Sequence, residues 1–409
     1  MAIEVRWGNA MPVAVYVLGL SIFAQGTSEL MLAGLLPELS GDLRISIPAA
    51  GLLISAFAVG MLLGAPILAV VTLKWSRRTA LLVFLGIFAA THVAGALTPN
   101  YAILLATRVV GAFVYAGFWS VAAVTVVALV PIDRRARAMS VVTGGLTIAT
   151  IVGLPIGTVL GQNLGWRSAF WTVAGLCVLA MAGVFATIPG GRPDPASAPQ
   201  LREELRALRH ARLWLAFGTT ALVTATILVV FSYLAPLLIN TTGLTPSAVP
   251  GVLALYGLGS FIGITLGGRT ADALPFHTLF VGITGLGILS AVLALTATNP
   301  VVTLAVVVLL GAFGFATNPA LNARVFSLAG DAPTLATATN FSAFNVGITA
   351  GPWLGGLAID AGAGYPALGW IAVATGLAAL ATVVVAAFLP VSSRDRSGRC
   401  GSDRTRRAA

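Results

Sequence analysis

Long apolar runs with almost no charge recur along the whole chain, and they limit what it can fold into. Of its 409 residues, 58% are hydrophobic and only 9% are charged, whereas soluble domains carry roughly 25% charged residues. The runs are about twenty residues long, which is the length of a helix that crosses a bilayer; outer-membrane strands are about half as long. We therefore expect an all-α integral membrane protein in which each helix satisfies its own backbone hydrogen bonds.

Breaks at proline, glycine and charged residues divide the chain into twelve predicted transmembrane helices. Their ranges are 11–36, 48–71, 79–98, 101–130, 138–162, 168–188, 213–239, 247–269, 276–297, 300–323, 337–359 and 366–390. A hydrophilic interval separates the sixth helix from the seventh. We predict two pseudo-symmetric six-helix bundles at 1–188 and 213–390, joined by a cytoplasmic linker at 189–212 and followed by a disordered cytoplasmic tail at 391–409.

Basic residues lie almost entirely on one side of the predicted helices. Twenty of the 23 Lys and Arg residues fall in the termini or in loops on the same side as the termini, against Arg44 and Arg167 on the other side. The positive-inside rule then predicts that both termini are cytoplasmic. The net charge of +10 reflects this topology, and we expect no nucleic-acid partner because no basic patch alternates with aromatic residues.

Two residues of opposite charge lie inside predicted spans, Glu29 in the first and Arg108 in the fourth. Ionisable groups in hydrocarbon are costly and are functional candidates by default. Both residues are seven positions from the outer end of their spans, which at about 1.5 Å per residue puts both roughly 10 Å below that end. They can therefore reach each other, a shared ligand or a shared water.

Two interpretations of this pair remain open. In the first, Glu29 binds and releases a proton while Arg108 modulates its proton affinity or moves with it. In the second, the two form a static buried ion pair that fixes helix packing. His92 in the third span stands alone, and contact with lipid or with a neighbouring helix is the interpretation we favour for it.

The fifth predicted span is rich in glycine around a proline, and the eleventh repeats this device. Small residues four positions apart let helices approach closely, and the proline loosens the backbone. A hinge between moving helices and ordinary tight packing both remain open. The residues are Gly145, Gly153, Pro155, Gly157 and Gly161 in the first half, and Gly351 and Pro352 in the second.

Several polar and aromatic residues stand in spans that would line a cavity between the two halves. Aromatic rings with a few amides and little charge suit a flat, amphipathic, neutral ligand. The predicted cavity residues are Gln25, Tyr115, Phe118, Trp119, Phe231, Tyr233, Asn318, Asn322, Asn340, Phe344 and Asn345.

Catalytic and nucleotide-binding motifs are absent from the sequence. It has no Walker phosphate loop, no metal-ligand spacing, and only three histidines and two cysteines. We therefore expect neither an enzyme nor a metal site nor a bound cofactor, and an ion gradient remains as the energy source for uphill transport.

Three short motifs carry a resemblance to a known family. The loop LKWSRR at 73–78 and RVVGAF at 108–113 resemble motifs of the major facilitator superfamily, and GLPIG at 153–157 resembles the helix-five motif of its drug:proton antiporters. The stretches YVLGLSIFAQGTSELMLAGLLPELS and ATRVVGAF are similar to actinobacterial chloramphenicol exporters. This resemblance implies a twelve-helix major facilitator fold in a bacterial cell membrane, a monomer, and proton-coupled export of chloramphenicol or related phenicols.

The same resemblance implies a cytoplasmic gate. Lys74, Arg77 and Arg78 match the basic loop of the superfamily, although Leu73 stands where it usually has an aspartate. Asp272 supplies a carboxylate at the corresponding place in the second half.

Two alternative functions remain open. An exporter of arabinose, another sugar or a metabolite would have the same spans and the same central cavity. A membrane sensor or scaffold that transports nothing would leave Glu29 and Arg108 unexplained.

Overall fold

Helices make up the fold throughout the parts of the chain that the computed structural model describes, residues 11–72, 75–131, 134–190, 211–329 and 333–388. The N-terminal half contains α1 Val13–Leu43, α2 Ile47–Val71, α3 Arg77–Leu97, α4 Tyr101–Leu129, α5a Arg135–Ile148, α5b Leu154–Leu164 and α6 Trp166–Thr187. The C-terminal half contains α7a Ala211–Phe231, α7b Leu234–Asn240, α8 Val249–Ala273, α9 Pro275–Thr296, α10 Pro300–Ala329, α11 Pro333–Asp360 and α12 Ala367–Phe388.

Eleven helical spans in the described ranges are long and apolar enough to cross a membrane, counting α5a with α5b and α7a with α7b as one span each. The remaining helix, α11, has 28 residues and thus also the length to cross, but threonine and asparagine make it more polar. The prediction of an all-helical membrane protein with twelve spans is confirmed. The predicted linker at 189–212 lies outside the described residues except for its ends, as does the predicted tail at 391–409.

Proline does not end the helices where the sequence suggests it should. The first span was predicted to end at residue 36, yet α1 continues through Pro37 to Leu43 and stops at Arg44, whose φ is 53°. A proline removes one backbone hydrogen bond, and the buried side chains of Leu36 and Leu39 still pack on either side of it. Tertiary packing therefore outweighs the local breaker.

The two halves repeat the same packing. In each half the second helix packs on the fourth, the third on the sixth, and the first on the fifth and sixth. The closest approaches repeat as well: Gly60 of α2 meets the Val109 carbonyl of α4, and Gly259 of α8 meets the Val308 carbonyl of α10. Both members of the second pair come 199 residues after their counterparts, so the fold contains two pseudo-symmetric six-helix bundles.

The glycines of the fifth span pack against α1 within the N-terminal bundle. A Cβ on Gly145 would collide with the Gly19 carbonyl oxygen, and one on Gly153 would collide with the Thr27 side chain. Gly157 lies against Met31. These glycines therefore let two helices of one bundle touch through their backbones, which is the tight-packing interpretation of the motif.

The two bundles meet through α2 with α11 and through α5 with α8. The Ser55 hydroxyl donates to the Thr349 carbonyl at 2.9 Å, and the Gln162 amide donates to the Pro246 carbonyl at 2.8 Å. Gly51 of α2 packs against the Tyr233 ring that follows α7a. We call the side of the membrane where α1 starts and α12 ends the terminal side, and the other side the opposite side. These contacts between the bundles lie in the half of the membrane on the opposite side.

Gly145 and the adjacent Gly144 provide a matched test of the α1–α5 contact. A Cβ at Gly144 would meet nothing within 4 Å, whereas Gly145→Ala forces α1 and α5 apart. We expect Gly145→Ala to lower stability by about 1–3 kcal/mol, as overpacking does, and Gly144→Ala to leave it unchanged or slightly raised. The measurement is the fraction of detergent-solubilised protein that stays monodisperse after heating; equal midpoints for the two variants would contradict the close contact.

Candidate functional site

A cavity of about 420 Å³ lies between the two bundles, within the size range of small-molecule sites. Eight spans contribute to its wall, four from each bundle. The described residues that line it are Glu29, Leu30, Ala33, Ile54, Phe57, Met61, Trp119, Thr143, Leu146, Thr150, Thr224, Ile227, Leu228, Phe231, Ser232, Tyr256, Phe315, Asn318, Asn322, Phe341, Phe344, Asn345 and Ile348.

The cavity has a closed end and an open end. Ile54, Phe57 and Tyr256, which line it toward the opposite side, are at most 6% exposed. Thr143 and Asn322, which line it toward the terminal side, are exposed. The bundle contacts described above close the opposite side, so the cavity communicates with the terminal side.

Aromatic rings form the apolar part of the wall. The Phe231 and Tyr256 rings stack with centroids 4.7 Å apart, and Phe315 meets Tyr256 edge-on at 6.4 Å. Phe57 and Phe344 extend this surface from the other helices. Such a wall binds a flat or apolar group without demanding a charge.

Three buried polar atoms on the same wall have no hydrogen-bond partner within the protein. They are the Asn345 Oδ1, the Ser232 hydroxyl and the Tyr256 hydroxyl. Asn345 uses its amide nitrogen within its own helix, donating to the Phe341 carbonyl at 2.9 Å. Because an unsatisfied buried polar group costs about 1–3 kcal/mol, these atoms are available to water or to a polar ligand.

Glu29 is the only carboxylic acid among the described residues that line the cavity. It is half-buried, and Tyr115 and Arg108 of α4 lie close enough to interact with its side chain. A carboxyl group at the cavity wall can be reached both by water entering from the terminal side and by a bound ligand.

Arg108 is 2% exposed and lies beside Glu29 without forming an ion pair with it. Its Nη1 donates to the Ser28 hydroxyl at 2.7 Å and its Nη2 donates to the Ser28 carbonyl at 3.0 Å. The guanidinium also stacks over the Phe57 ring at 4.2 Å. The structure thus brings Arg108 to the depth of Glu29, but commits its hydrogen bonds to the neighbouring residue.

Six of the eleven predicted cavity residues line the cavity: Trp119, Phe231, Asn318, Asn322, Phe344 and Asn345. The other five, Gln25, Tyr115, Phe118, Tyr233 and Asn340, are buried and do not line the cavity.

Hydrogen bonds account for the positions of three of these residues, and ring contacts with Phe57 and Phe88 account for that of Tyr115. Tyr233 donates to the Pro352 carbonyl at 2.7 Å, and Gln25 donates to the Ser21 carbonyl at 3.2 Å. Asn340 donates to Asn322 at 3.0 Å and thereby holds a residue of the wall.

Several residues of the site could not be selected from the sequence alone. Phe57 and Tyr256 are single aromatic residues in apolar spans, and no pattern distinguishes them from core or lipid-facing rings. Of the two surroundings expected for His92, lipid or a neighbouring helix, the structure shows the second, because its ring is buried and hydrogen-bonded to Ser28 of α1 at 2.6 Å. Serine is common in membrane helices, so Ser28 gave no signal either.

Proline loosens the fifth span more than the eleventh. The five residues Ala149–Gly153, which precede Leu154 and Pro155, form a π-helical turn between α5a and α5b. Such a turn is expected where a proline interrupts the backbone hydrogen bonds of a helix. Pro352 lies inside a continuous α11, with its carbonyl accepting from Tyr233. The two halves therefore share the motif but not the same local geometry.

Only part of the predicted gate lies in the described structure. Lys74 and the Asp272 side chain lie outside it. Arg77 begins α3 and is half-buried, while the Arg78 guanidinium lies 4.0 Å above the Phe185 ring of α6.

Known proteins similar to this chain are membrane transporters and a drug-resistance protein. A model of the Major Facilitator Superfamily matches residues 18–341 and 230–406. A Streptomyces lividans protein named "Chloramphenicol resistance protein" is 44% identical over 344 residues, covering 84% of this chain and 88% of that protein. The inner membrane transport protein YdhP of Escherichia coli K12 is 35% identical over 366 residues, covering 89% and 93%.

A solved structure shares the fold. The bacterial homologue of the human lysosomal transporter Spinster, in an inward-facing and unoccupied conformation, superposes with a TM-score of 0.67 at 19% identity, covering 92% of this chain and 96% of that one. The helical repeat, the cavity between the bundles and these matches agree: the chain belongs to the Major Facilitator Superfamily and is a multi-pass membrane transporter, not an enzyme.

Proposed function

We propose that this transporter exports a small, neutral, amphipathic drug in exchange for protons, with chloramphenicol or a related phenicol as its substrate. The observation that carries the proposal is the cavity between the bundles. It combines an aromatic wall, unpartnered amide and hydroxyl groups, and a single carboxyl group at Glu29.

The chemistry of the cavity supports a substrate of this class. A phenicol has one aromatic ring, hydroxyl groups and an amide, and it carries no charge at neutral pH. Its ring would pack among Phe231, Tyr256 and Phe344, while its hydroxyl or amide protons would donate to Asn345 Oδ1. The name of the relative from Streptomyces lividans adds support, since that protein covers most of this chain.

Proton exchange supplies the energy in this proposal, with no bound cofactor. Glu29 loads a proton when the cavity is open to one side and releases it when the cavity is open to the other, and Arg108 modulates its proton affinity. The protein works as a monomer in the cell membrane with its terminal side toward the cytoplasm, so the cavity is open to the cytoplasm here. Alternating access then moves the substrate outward.

A sugar or metabolite exporter is the second candidate. The exposed Asn322 and Thr143 and the half-buried Asn318 make the mouth of the cavity polar, which favours a hydroxyl-rich ligand there. The stacked rings deeper in the wall favour the drug. Substrate competition separates the two, because a sugar would not displace a bound phenicol from an aromatic wall.

Expression in a susceptible bacterium tests the substrate. We expect a higher chloramphenicol tolerance and a lower cellular accumulation of the drug, both abolished by a protonophore because the gradient drives export. Accumulation of labelled chloramphenicol and of labelled arabinose is measured in the same cells. Unchanged tolerance at verified membrane expression would overturn the phenicol assignment. A lower cellular accumulation of arabinose, with that of chloramphenicol unchanged, would establish the second candidate.

Glu29→Gln tests the proton site, with Glu38→Gln as the matched control on the same helix. Glu38 lies nine positions further along α1 and does not line the cavity. We expect Glu29→Gln to abolish proton release on addition of substrate to purified protein, while Glu38→Gln retains it. Substrate-induced pH change in weakly buffered solution is the measurement; normal proton release from Glu29→Gln would remove Glu29 from the mechanism.

Asn345→Ala tests the polar contact with the substrate. We expect the apparent affinity for the drug to fall about tenfold, which corresponds to the loss of one buried hydrogen bond of about 1.4 kcal/mol. Asn163→Ala is the control, since Asn163 bonds within its own helix and lies outside the cavity. Binding is measured by equilibrium titration, and equal affinities for the two variants would exclude Asn345 from the site.

A further inference from the structure

His92 lies where α1, α3 and α4 meet, in a hydrogen-bonded chain that ends on the guanidinium of Arg108. The Ser28 hydroxyl lies 2.6 Å from His92 Nε2, and Arg108 Nη1 donates to the same hydroxyl at 2.7 Å. On the other side of the ring, His92 Nδ1 lies 2.8 Å from the Phe88 carbonyl. The His92 side chain is 2% exposed, so water does not compete for these contacts.

Counting donors fixes the direction of every bond in the chain. Arg108 can only donate, so the Ser28 oxygen accepts from it. Ser28 then has its single proton left, and the atom within its reach that accepts it is His92 Nε2. The Phe88 carbonyl can only accept, so His92 Nδ1 carries the ring proton. His92 is therefore neutral, with its proton on Nδ1.

Packing and charge both hold His92 in this state. Its ring lies 4.4 Å from the Phe88 ring and 5.5 Å from the Phe170 ring of α6, so aromatic rings pack against it. The groups that face it from α1 and α6 are Ser28 and Phe170, and the charge that acts on it is that of Arg108. A second ring proton on Nε2 would leave the Ser28 proton without an acceptor beside a guanidinium.

We propose that His92 is a positioning residue: it orients the Ser28 hydroxyl so that Ser28 holds Arg108 beside Glu29 without an ion pair. His92 acts through Ser28 and carries no proton itself. The inference rests on the proposed proton coupling for its consequence, but the state of His92 can be measured independently of transport.

The hydrogen bonds of Arg108 explain how His92 can affect Glu29. Arg108 places two hydrogen bonds on Ser28, one on its hydroxyl and one on its carbonyl, and bonds from a charged donor are among the stronger ones. Without His92, the Ser28 hydroxyl turns its proton toward another acceptor, and Arg108 loses one of the two bonds. The freed guanidinium then pairs with Glu29 and changes the balance between its protonated and ionised forms.

Nitrogen NMR of the imidazole tests the protonation state directly. The chain has three histidines, so a His210→Gln/His277→Gln background labelled with ¹⁵N-histidine reports His92 alone. We expect the shifts of a neutral ring protonated on Nδ1, unchanged between pH 6 and 8, and disturbed by Ser28→Ala. The buried Ser290 is unpartnered and lies in α9, so Ser290→Ala should leave them unchanged. An imidazolium, or a ring protonated on Nε2, would overturn the proposal.

Transport by two His92 variants tests the positioning role. His92→Gln keeps an acceptor near Nε2, while His92→Phe fills the volume without one. We expect His92→Phe to displace the pH profile of substrate-driven proton release by about one unit, and His92→Gln to retain the wild-type profile. Identical profiles for both variants would refute positioning. Absence of proton release from the wild-type protein would instead refute the proposed function, while the NMR result would still decide the state of His92.

Discussion

The lack of hydrogen-bond partners in hydrocarbon is the constraint on which the rest of the structure depends. Each polar side chain in a span must find its partner within the protein or pay the cost of leaving it unmet. Most threonines and serines meet this by donating to the carbonyl one turn earlier, as Thr27 does to Phe23 at 2.8 Å and Thr158 does to Leu154 at 2.9 Å. Ser28 is different, because its hydroxyl joins Arg108 and His92 across three helices. Ser28 departs from the local pattern beside Glu29, and the unpartnered Ser232 hydroxyl departs from it at the cavity wall.

Backbone-to-backbone packing is the second consequence of the same constraint. In lipid, burial of apolar side chains brings little gain, so helices associate by close van der Waals contact between small residues. Gly60 against Val109 and Gly259 against Val308 provide this contact at equivalent places in the two bundles. Each bundle is consequently closely packed within itself. The cavity forms between the bundles, whose largest contacts are those of α2 with α11 and of α5 with α8.

The sequence predicted the fold well because the bilayer leaves few options. The length of the apolar runs and the residues that interrupt them predicted the transmembrane spans. The positions of Glu29 and Arg108 in their spans predicted one common depth, and in the structure Arg108 donates two hydrogen bonds to Ser28, the residue next to Glu29. Side-chain direction was not predictable in the same way. Tyr115 and Asn345 were both predicted to line the cavity, yet Tyr115 packs between Phe57 and Phe88 while Asn345 lines the cavity. A helical span without strong amphipathicity does not reveal which face meets the other bundle.

His92 shows the same limit more sharply. A single histidine in an apolar run gives no spacing from which a partner can be inferred, and its partner Ser28 is 64 residues away. The interaction exists because α1, α3 and α4 converge, which is a property of the packed bundle and not of any one segment.

The position of α1 connects this network to the contact between the bundles. α1 is the helix that carries Ser28 and Glu29, and it also touches α7b and α8 of the other bundle. Gly34 packs against Leu253 of α8, five residues beyond Glu29, a distance of about 7.5 Å along the helix. In the proposed cycle, a change in the charge of Glu29 and the separation of the bundles thus act on the same short stretch of one helix. Glycine contacts hold α1 to α5, so in the proposed cycle α1 would move together with its own bundle.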